Sequence, residues 1–416
     1  MDTKQRKYDL VKGVLVVGVD TGKRRHVAAL RAPGRSVEKR VPFDNDRKGF
    51  QRLAEEVDQY RERMKLTRVV LGVEPTGHYW LPLAYWWEEN QGPVVLVNPM
   101  HTKRAKELED NSPLKNDPKD AAVISWLISD AKYRECHLPR GIFATLQNLV
   151  QQRARCGNDE GRLVNQLHQT VEHIFPELEQ AFSSFRVKSC REMLLRYADP
   201  EVVAQMRAED LGKQLREWSR GKLGEERAEK IIGLARESVG LREGKAAINS
   251  EVQRLVRRLA LVGEERKDLE DKIKNCLPEV PGAALLLSVP DFGVWTVAAI
   301  LAQTGDLRSY EHPDQVIKLA GLNLYEISSG EHKGRVRITK RGQGSFRQIL
   351  YMAALRACRR RGTLHSYYES LVGRGLAPTS ALVAIMRKLL RVTWTLVKKS
   401  QRFDRERLIP APAKAA

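Results

Sequence analysis

Residues 14–30 read VLVVGVDTGKRRHVAAL, and the fold turns on how this stretch is read. Val14 to Val19 is a short, β-branched apolar run bounded by turn residues, which predicts an inner strand rather than a helix. Gly22 and Lys23 reverse the chain into a second strand and leave Asp20 at the mouth of a sheet. A carboxylate there is costly to bury alone, so it is solvated, paired or bound to a cation. Taken by itself, Asp20 reads as a hairpin-turn aspartate accepting backbone N–H bonds.

The following residues favour the cation. Val37–Phe43 supplies a third strand, and Arg47–Lys65 a helix whose apolar stripe is Phe50, Leu53, Val57, Tyr60 and Met64. Val69–Val73 is a further inner strand ending in Glu74-Pro75-Thr76-Gly77; a helix at Tyr79–Glu89 and a strand at Pro93–Val97 follow. A basic helical segment around Lys103–Lys106 comes next. Asn116-Asp117-Pro118-Lys119-Asp120 then opens a helix through Ile128, with Pro118 as a first-turn proline. That motif has two readings, ordinary helix capping or a pair of ligands facing the same way. Three strands, helix, strand, helix, strand, helix is the order of a ribonuclease H-like sheet. In it Asp20, Glu74, Asp117 and Asp120 converge from separate elements. Clustered carboxylates repel, and an all-oxygen cluster suits Mg²⁺ or Mn²⁺, ions that support phosphodiester cleavage.

The rest of the chain fits a nucleic-acid partner. Its 416 residues carry 72 Lys and Arg against 52 Asp and Glu, a formal charge of +20, which predicts a polyanion as partner. The N-terminus lacks a secretory apolar core and no segment has the span of a membrane helix, so a cytoplasmic protein with no membrane partner is expected. Five widely spaced cysteines indicate neither a zinc site nor a disulfide framework.

Length and composition divide the chain into residues 1–135, a helical arm at 136–280, a C-terminal domain at 281–402 and a tail at 403–416, an α/β plus α architecture. In the arm, Ile248, Val252, Leu255, Leu259, Val262, Leu269 and Ile273 form an a/d seam interrupted by Arg266. The seam pairs either two chains or two helices of one chain. Further on, Ser288–Ala298 resembles a helix-hairpin-helix, although Asp291 stands where such turns place glycine. Its charge argues against a phosphate contact there. Glu326–Gly342 then carries Ser328-Ser329-Gly330 and the cations Lys333, Arg335, Arg337, Lys340 and Arg341 among glycines. Such a loop can hold phosphates, with Arg347 on the helix behind it. The serines are either a flexible turn or a nucleophile beside the basic loop.

In combination these motifs resemble the transposases of the insertion-sequence 110 family, the bridge-RNA-guided recombinases. The resemblance runs through GVDTGKRRHVAAL, VEPTGHYWLPLA, VNP and NDPKDA to AGL, SG, TKRG and LYMAALRA. It implies a RuvC-like domain with a Mg²⁺-binding site at Asp20, Glu74, Asp117 and Asp120, and a catalytic serine directly before glycine. That serine is Ser329, with adjacent Ser328 as the alternative. It further implies donor and target DNA, a bridge noncoding RNA, and a homodimer or tetramer with catalytic parts from different protomers. Two other functions fit fewer features. A junction-resolving metal nuclease would not need the serine loop, and a basic architectural protein would need neither serine nor placed acids.

Overall fold

The computed structural model describes residues 3–109, 117–326 and 336–406, except the side chains of 3–4, 108–109 and 117–118. The chain separates into two compact units, Met1–Leu138 and Pro139–Ala416.

The first unit is built on a six-stranded sheet of order β3-β2-β1-β4-β5-β6. Its members are β1 (Leu15–Thr21), β2 (Arg25–Arg31), β3 (Val37–Asp44), β4 (Val69–Val73), β5 (Val94–Leu96) and β6 (Arg134–Glu135). The β1–β2–β3 meander is antiparallel, β4 runs parallel to β1, β5 parallel to β4, and β6 antiparallel to β5. The predicted strands and helices are present here, as α2 (Arg47–Arg63), α3 (Trp80–Asn90), α4 (Pro99–Glu109) and α5 (Asp117–Ser129). Two elements were not predicted: α1 (Thr3–Val11) and β6. The helix TKQRKYDLV is mostly polar; Val11 and Leu10 at its end join the core on the α5 face, and Lys7 and Tyr133 bond each other's backbone carbonyls.

Strand alternation sorts the core into two layers. Leu15, Val17, Val19, Val69, Leu71 and Val73 pack with Leu53, Val57, Leu83 and Trp87 of α2 and α3. On the opposite face Val14, Val16, Val70 and Val95 pack with Val123, Ile124, Leu127 and Ile128 of α5. Paired glycines let α5 approach that face. Gly18 lies opposite Gly72 in the parallel ladder. A Cβ on Gly18 would stand 2.3 Å from Ser125 N and 2.5 Å from Ala121 O, and one on Gly72 would stand 2.0 Å from Ile128 Cδ1.

The second unit is helical apart from a two-stranded ribbon, β7 (Leu324–Tyr325) with β8 (Arg337–Ile338). Its frame is α6 (Ile142–Ile174) and α11 (Lys245–Cys276), which pack along their length. Arg153 meets Glu270 and Glu160 meets Arg266, so the pair is antiparallel. The a/d seam is therefore occupied within the chain: Val252, Leu255 and Leu259 pack with Leu163, Leu167 and Val171 of α6. Of the two pairings the sequence allowed, this is the intrachain one, and the seam does not serve as a means of joining two chains. Arg266, the interruption in the apolar pattern, is answered by Glu160, which is 8% exposed and accepts from Arg266 Nε at 2.9 Å.

Between these long helices lie α7 (Lys188–Arg196), α8 (Pro200–Ala204), α9 (Ala208–Trp218) and α10 (Glu225–Arg236), sharing one apolar core with them. A second core gathers α12 (Ala283–Leu286), α13 (Val294–Thr304), α14 (Pro313–Leu319), α15 (Gly344–Ala357), α16 (His365–Gly373) and α17 (Pro378–Lys398).

Candidate functional site

In the first unit Asp20 is the sixth residue of β1 and is half-buried. Val19 pairs with Val73 in the parallel ladder, so Glu74, also half-buried, is the next position level with Asp20. Both share the parity of Gly18 and Gly72, and alternation directs them to the α5 face of the sheet. Ala121 and Ser125 bracket Gly18, and Ser125 Oγ accepts from Arg31, which pairs with Val16. Hence α5 runs antiparallel to β1, and its first turn, with Asp117 and Asp120, lies toward the Asp20 end of the strand.

Asp120 is 7% exposed. A carboxylate buried to that degree needs a partner, and Lys106 Nζ of α4 stands 2.5 Å from it. Sequence reasoning registered the basic segment of α4 but not this pairing; the signal available was an ammonium chain shortly before an acidic helix start. The Asp117 side chain lies outside the described residues. Among the described residues no group of three or more His, Cys, Asp or Glu side chains is gathered closely enough to hold a metal ion. The donor chemistry nonetheless fits a hard divalent cation: the candidates are carboxylates only, and the one that is buried already holds a cationic group.

The turn beside Asp20 is held from below by His26. This residue is fully buried against Phe43 and Phe50, and its Nδ1 accepts from Gly22 N at 3.1 Å. Burial pushes its pKa below the ordinary histidine value, so the ring stays neutral with the remaining proton on Nε2.

In the second unit, Ser328, Ser329, Lys333 and Arg335 lie outside the described residues, as does His332. The described ends of that loop are the β7–β8 ribbon and the turn after it. Arg337, Lys340 and Arg341 are exposed there. Arg347 does something else: its Nη1 donates to the carbonyls of Ala320, Lys340 and Gly342 at 3.1–3.3 Å. That nitrogen ties the base of the loop together rather than facing outward. Gly342 likewise serves a backbone contact, since a Cβ there would stand 2.4 Å from Gly321 N and from Leu319 O. Asp291 is explained too. Its Oδ2 accepts from Thr363 N at 3.1 Å and from Thr363 Oγ1, so the helix-hairpin-helix-like turn is clamped to the chain after α15.

Carboxylates thus stand at the C-terminal ends of neighbouring parallel strands, on a chain whose formal charge of +20 suits a polyanionic partner. Comparison with known proteins gives the class of protein. A DEDD-type IS110 transposase model matches residues 17–176, and a model described as transposase IS116/IS110/IS902 family matches 283–369, together more than half of the chain. The chain belongs to this family of transposases, which are DNA-recombining enzymes.

Among its relatives is an insertion element IS116 protein of Streptomyces clavuligerus, 29% identical over 72% of this chain and 73% of the relative. An IS900 insertion-element protein of Mycobacterium paratuberculosis is 24% identical over 68% and 71%. A pilin gene-inverting protein of Moraxella bovis is 23% identical over 94% and 97%. Membership brings DNA as a partner and, through the DEDD domain, dependence on a divalent metal. Among the described residues no helix is long and apolar enough to cross a membrane.

Proposed function

We propose that the chain excises and inserts its own element under the guidance of a bridge noncoding RNA. In this reading the first unit is a RuvC-like, ribonuclease H-type nuclease and the second supplies a serine nucleophile. The observation that supports it best is the level placement of Asp20 and Glu74 beneath α5, on a sheet of order β3-β2-β1-β4-β5. Asp20, Glu74, Asp117 and Asp120 would hold Mg²⁺ or Mn²⁺. When bound, such an ion stabilises the charge that develops on the phosphodiester oxygens. The proteins's own groups do the rest. Lys106, which pairs with Asp120 here, would release it where a cation is held. Arg337, Lys340 and Arg341, with Lys333 and Arg335 of the same loop, neutralise the backbone of the bound strand.

Ser329 Oγ attacks phosphorus, loses its proton to solvent, and displaces a sugar oxygen that leaves protonated. The resulting phosphoserine diester retains the energy of the broken bond. Attack by the sugar hydroxyl of a new strand reverses the step, restores the serine and needs no ATP. Base pairing with the RNA selects the sites while the protein reads backbone and shape. Pairing of chains into a dimer or tetramer uses a surface other than the α6–α11 seam, which is filled.

The test is the denaturant-resistant protein–DNA adduct formed with a donor-end substrate. Ser329→Ala loses it while still binding RNA. Loss with Ser328→Ala alone moves the nucleophile by one residue, and an adduct surviving both substitutions refutes serine chemistry.

A further inference from the structure

Asp120, in the first turn of α5, is buried, yet its partner is a flexible side chain, Lys106 of the helix before it. The two halves of this pair are held differently. Ala105 is buried in the core that Val123 and Ile124 of α5 share. Thr102, one turn before Lys106, is buried as well, and its Oγ1 donates to Asn98 O at 3.4 Å. These contacts fix the backbone of α4 beside α5, and with it the Cα of Lys106. The ammonium is not fixed in the same way. The Lys106 side chain is 31% exposed against 11% for that of Asp120, and its charge rides on a four-carbon stem. Lys106 can therefore swing into water, while Asp120 cannot follow it.

A buried carboxylate needs a counter-charge. Lys106 supplies one in the absence of a divalent ion, but the two cannot serve Asp120 together, because an ammonium and a doubly charged ion on one carboxylate repel. Lysine is also the cation suited to exchange. Its ammonium is compact and strongly hydrated, so release into water is easy, whereas an arginine would grip the carboxylate with two parallel bonds.

We propose that Lys106 is a tethered counter-ion, a positioning residue that holds Asp120 in place before a metal binds and competes with the metal for it. The proposal rests on the reading of Asp120 as a ligand and adds what keeps that buried carboxylate in position when no ion is bound. The consequence is a pair of effects of opposite sign. The same ammonium stabilises the metal-free chain and weakens its hold on metal.

The experiment uses the full chain without nucleic acid and Mn²⁺ as the probe. Binding is followed by loss of the electron paramagnetic resonance signal of free Mn²⁺, and melting by circular dichroism in EDTA and in saturating Mn²⁺. Lys106→Met keeps the apolar stem and removes the charge. It is expected to bind Mn²⁺ about tenfold more tightly than the parent. In EDTA it should melt roughly 5 °C lower, and saturating Mn²⁺ should close the gap, since the ion replaces the lost ammonium. A lysine that merely ties α4 to α5 gives another pattern: the same deficit with and without Mn²⁺, and an affinity unchanged or lower. Either of those results overturns the proposal. Lys106→Gln, which removes the charge with a polar side chain, is read in the same way where Lys106→Met does not fold.

Asp120→Asn separates this proposal from the reading beneath it. If Asp120→Asn leaves Mn²⁺ binding untouched, the assignment of Asp120 as a ligand falls and the role of Lys106 falls with it. If Asp120→Asn weakens binding while loss of the Lys106 charge fails to strengthen it, the ligand stands and the counter-ion alone is refuted.

Discussion

Replacing Gly18 by alanine would put a methyl group where α5 already lies. The new Cβ would stand 2.3 Å from Ser125 N, 2.5 Å from Ala121 O and 2.8 Å from Ser125 Cα. All three are backbone atoms, so no side chain can rotate aside; the helix itself has to retreat. Ordinary contact begins near 3.4 Å, which sets the retreat at about 1 Å. Overpacking of this kind costs about 1–3 kcal/mol, and a rigid backbone obstacle places Gly18→Ala at the upper end. The first unit should melt roughly 10 °C lower. The functional effect should be larger than the loss of stability alone. The first turn of α5 carries Asp117 and Asp120, and a misplacement of about 1 Å among reacting groups can cost about 10²-fold in rate.

The assay is excision from a donor plasmid at a temperature where the variant is fully folded, with circular dichroism melting alongside. Gly161→Ala is the control: it sits inside α6 with nothing within 4 Å of its added methyl, and should be neutral or stabilising. A Gly18→Ala chain that melts and excises like the parent would refute the claim that close packing of α5 on β1 sets the site.

Other perturbations have equally definite outcomes. Arg266→Leu leaves Glu160 with Arg186 Nη1 at 3.5 Å as its remaining partner and should destabilise the second unit by about 2–3 kcal/mol in urea unfolding; adding Glu160→Leu should recover most of it. His26 has its pKa lowered by burial, so the unfolded chain takes up its proton first. Its contribution is therefore fully present above the unfolded value near 6.5 and is lost as pH falls from there toward the folded value. Melting temperature should drop between pH 7 and 5 in the parent and drop less in His26→Phe. Arg347→Ala removes the donor shared by three carbonyls; hydrogen exchange at 320–343 should quicken and DNA binding weaken. Asp20→Asn should abolish metal-dependent excision from a donor plasmid while the chain still folds, as checked by circular dichroism. Retained activity in that variant would remove Asp20 from the site.

Much of this was legible because it depends on short-range pattern. The β-branched run before Asp20, the stripe of α2 and the Pro118 start of α5 each encode their element locally. Other features depend on partners distant in sequence. The a/d pattern of α11 marked an apolar face but could not say that α6 covers it, and Arg266 looked like a defect until Glu160 was placed opposite. The same limit hid Lys106, whose meaning comes from Asp120 on the next helix. Gly342 and Arg347 read as phosphate-binding residues because glycine and arginine beside cations usually do; here the first admits Gly321 and the second fastens carbonyls. Asp291 was the reverse case, an apparent misfit that Thr363 accounts for.

The antiparallel course of α6 and α11 also bears on how such chains change over time. The chain departs from this pair at Ile174 and returns at Lys245, and Gly240 already touches Ile174, its Cβ position only 1.8 Å from the Ile174 carbonyl oxygen. Departure and return are thus neighbours, like the two ends of a graft on one stem. Material between them can lengthen, shrink or be exchanged without shifting the register of either long helix, provided the apolar side it covers stays covered. The subdomain at 175–244 can therefore be remodelled while Arg153–Glu270 and Glu160–Arg266 keep the stem unaltered.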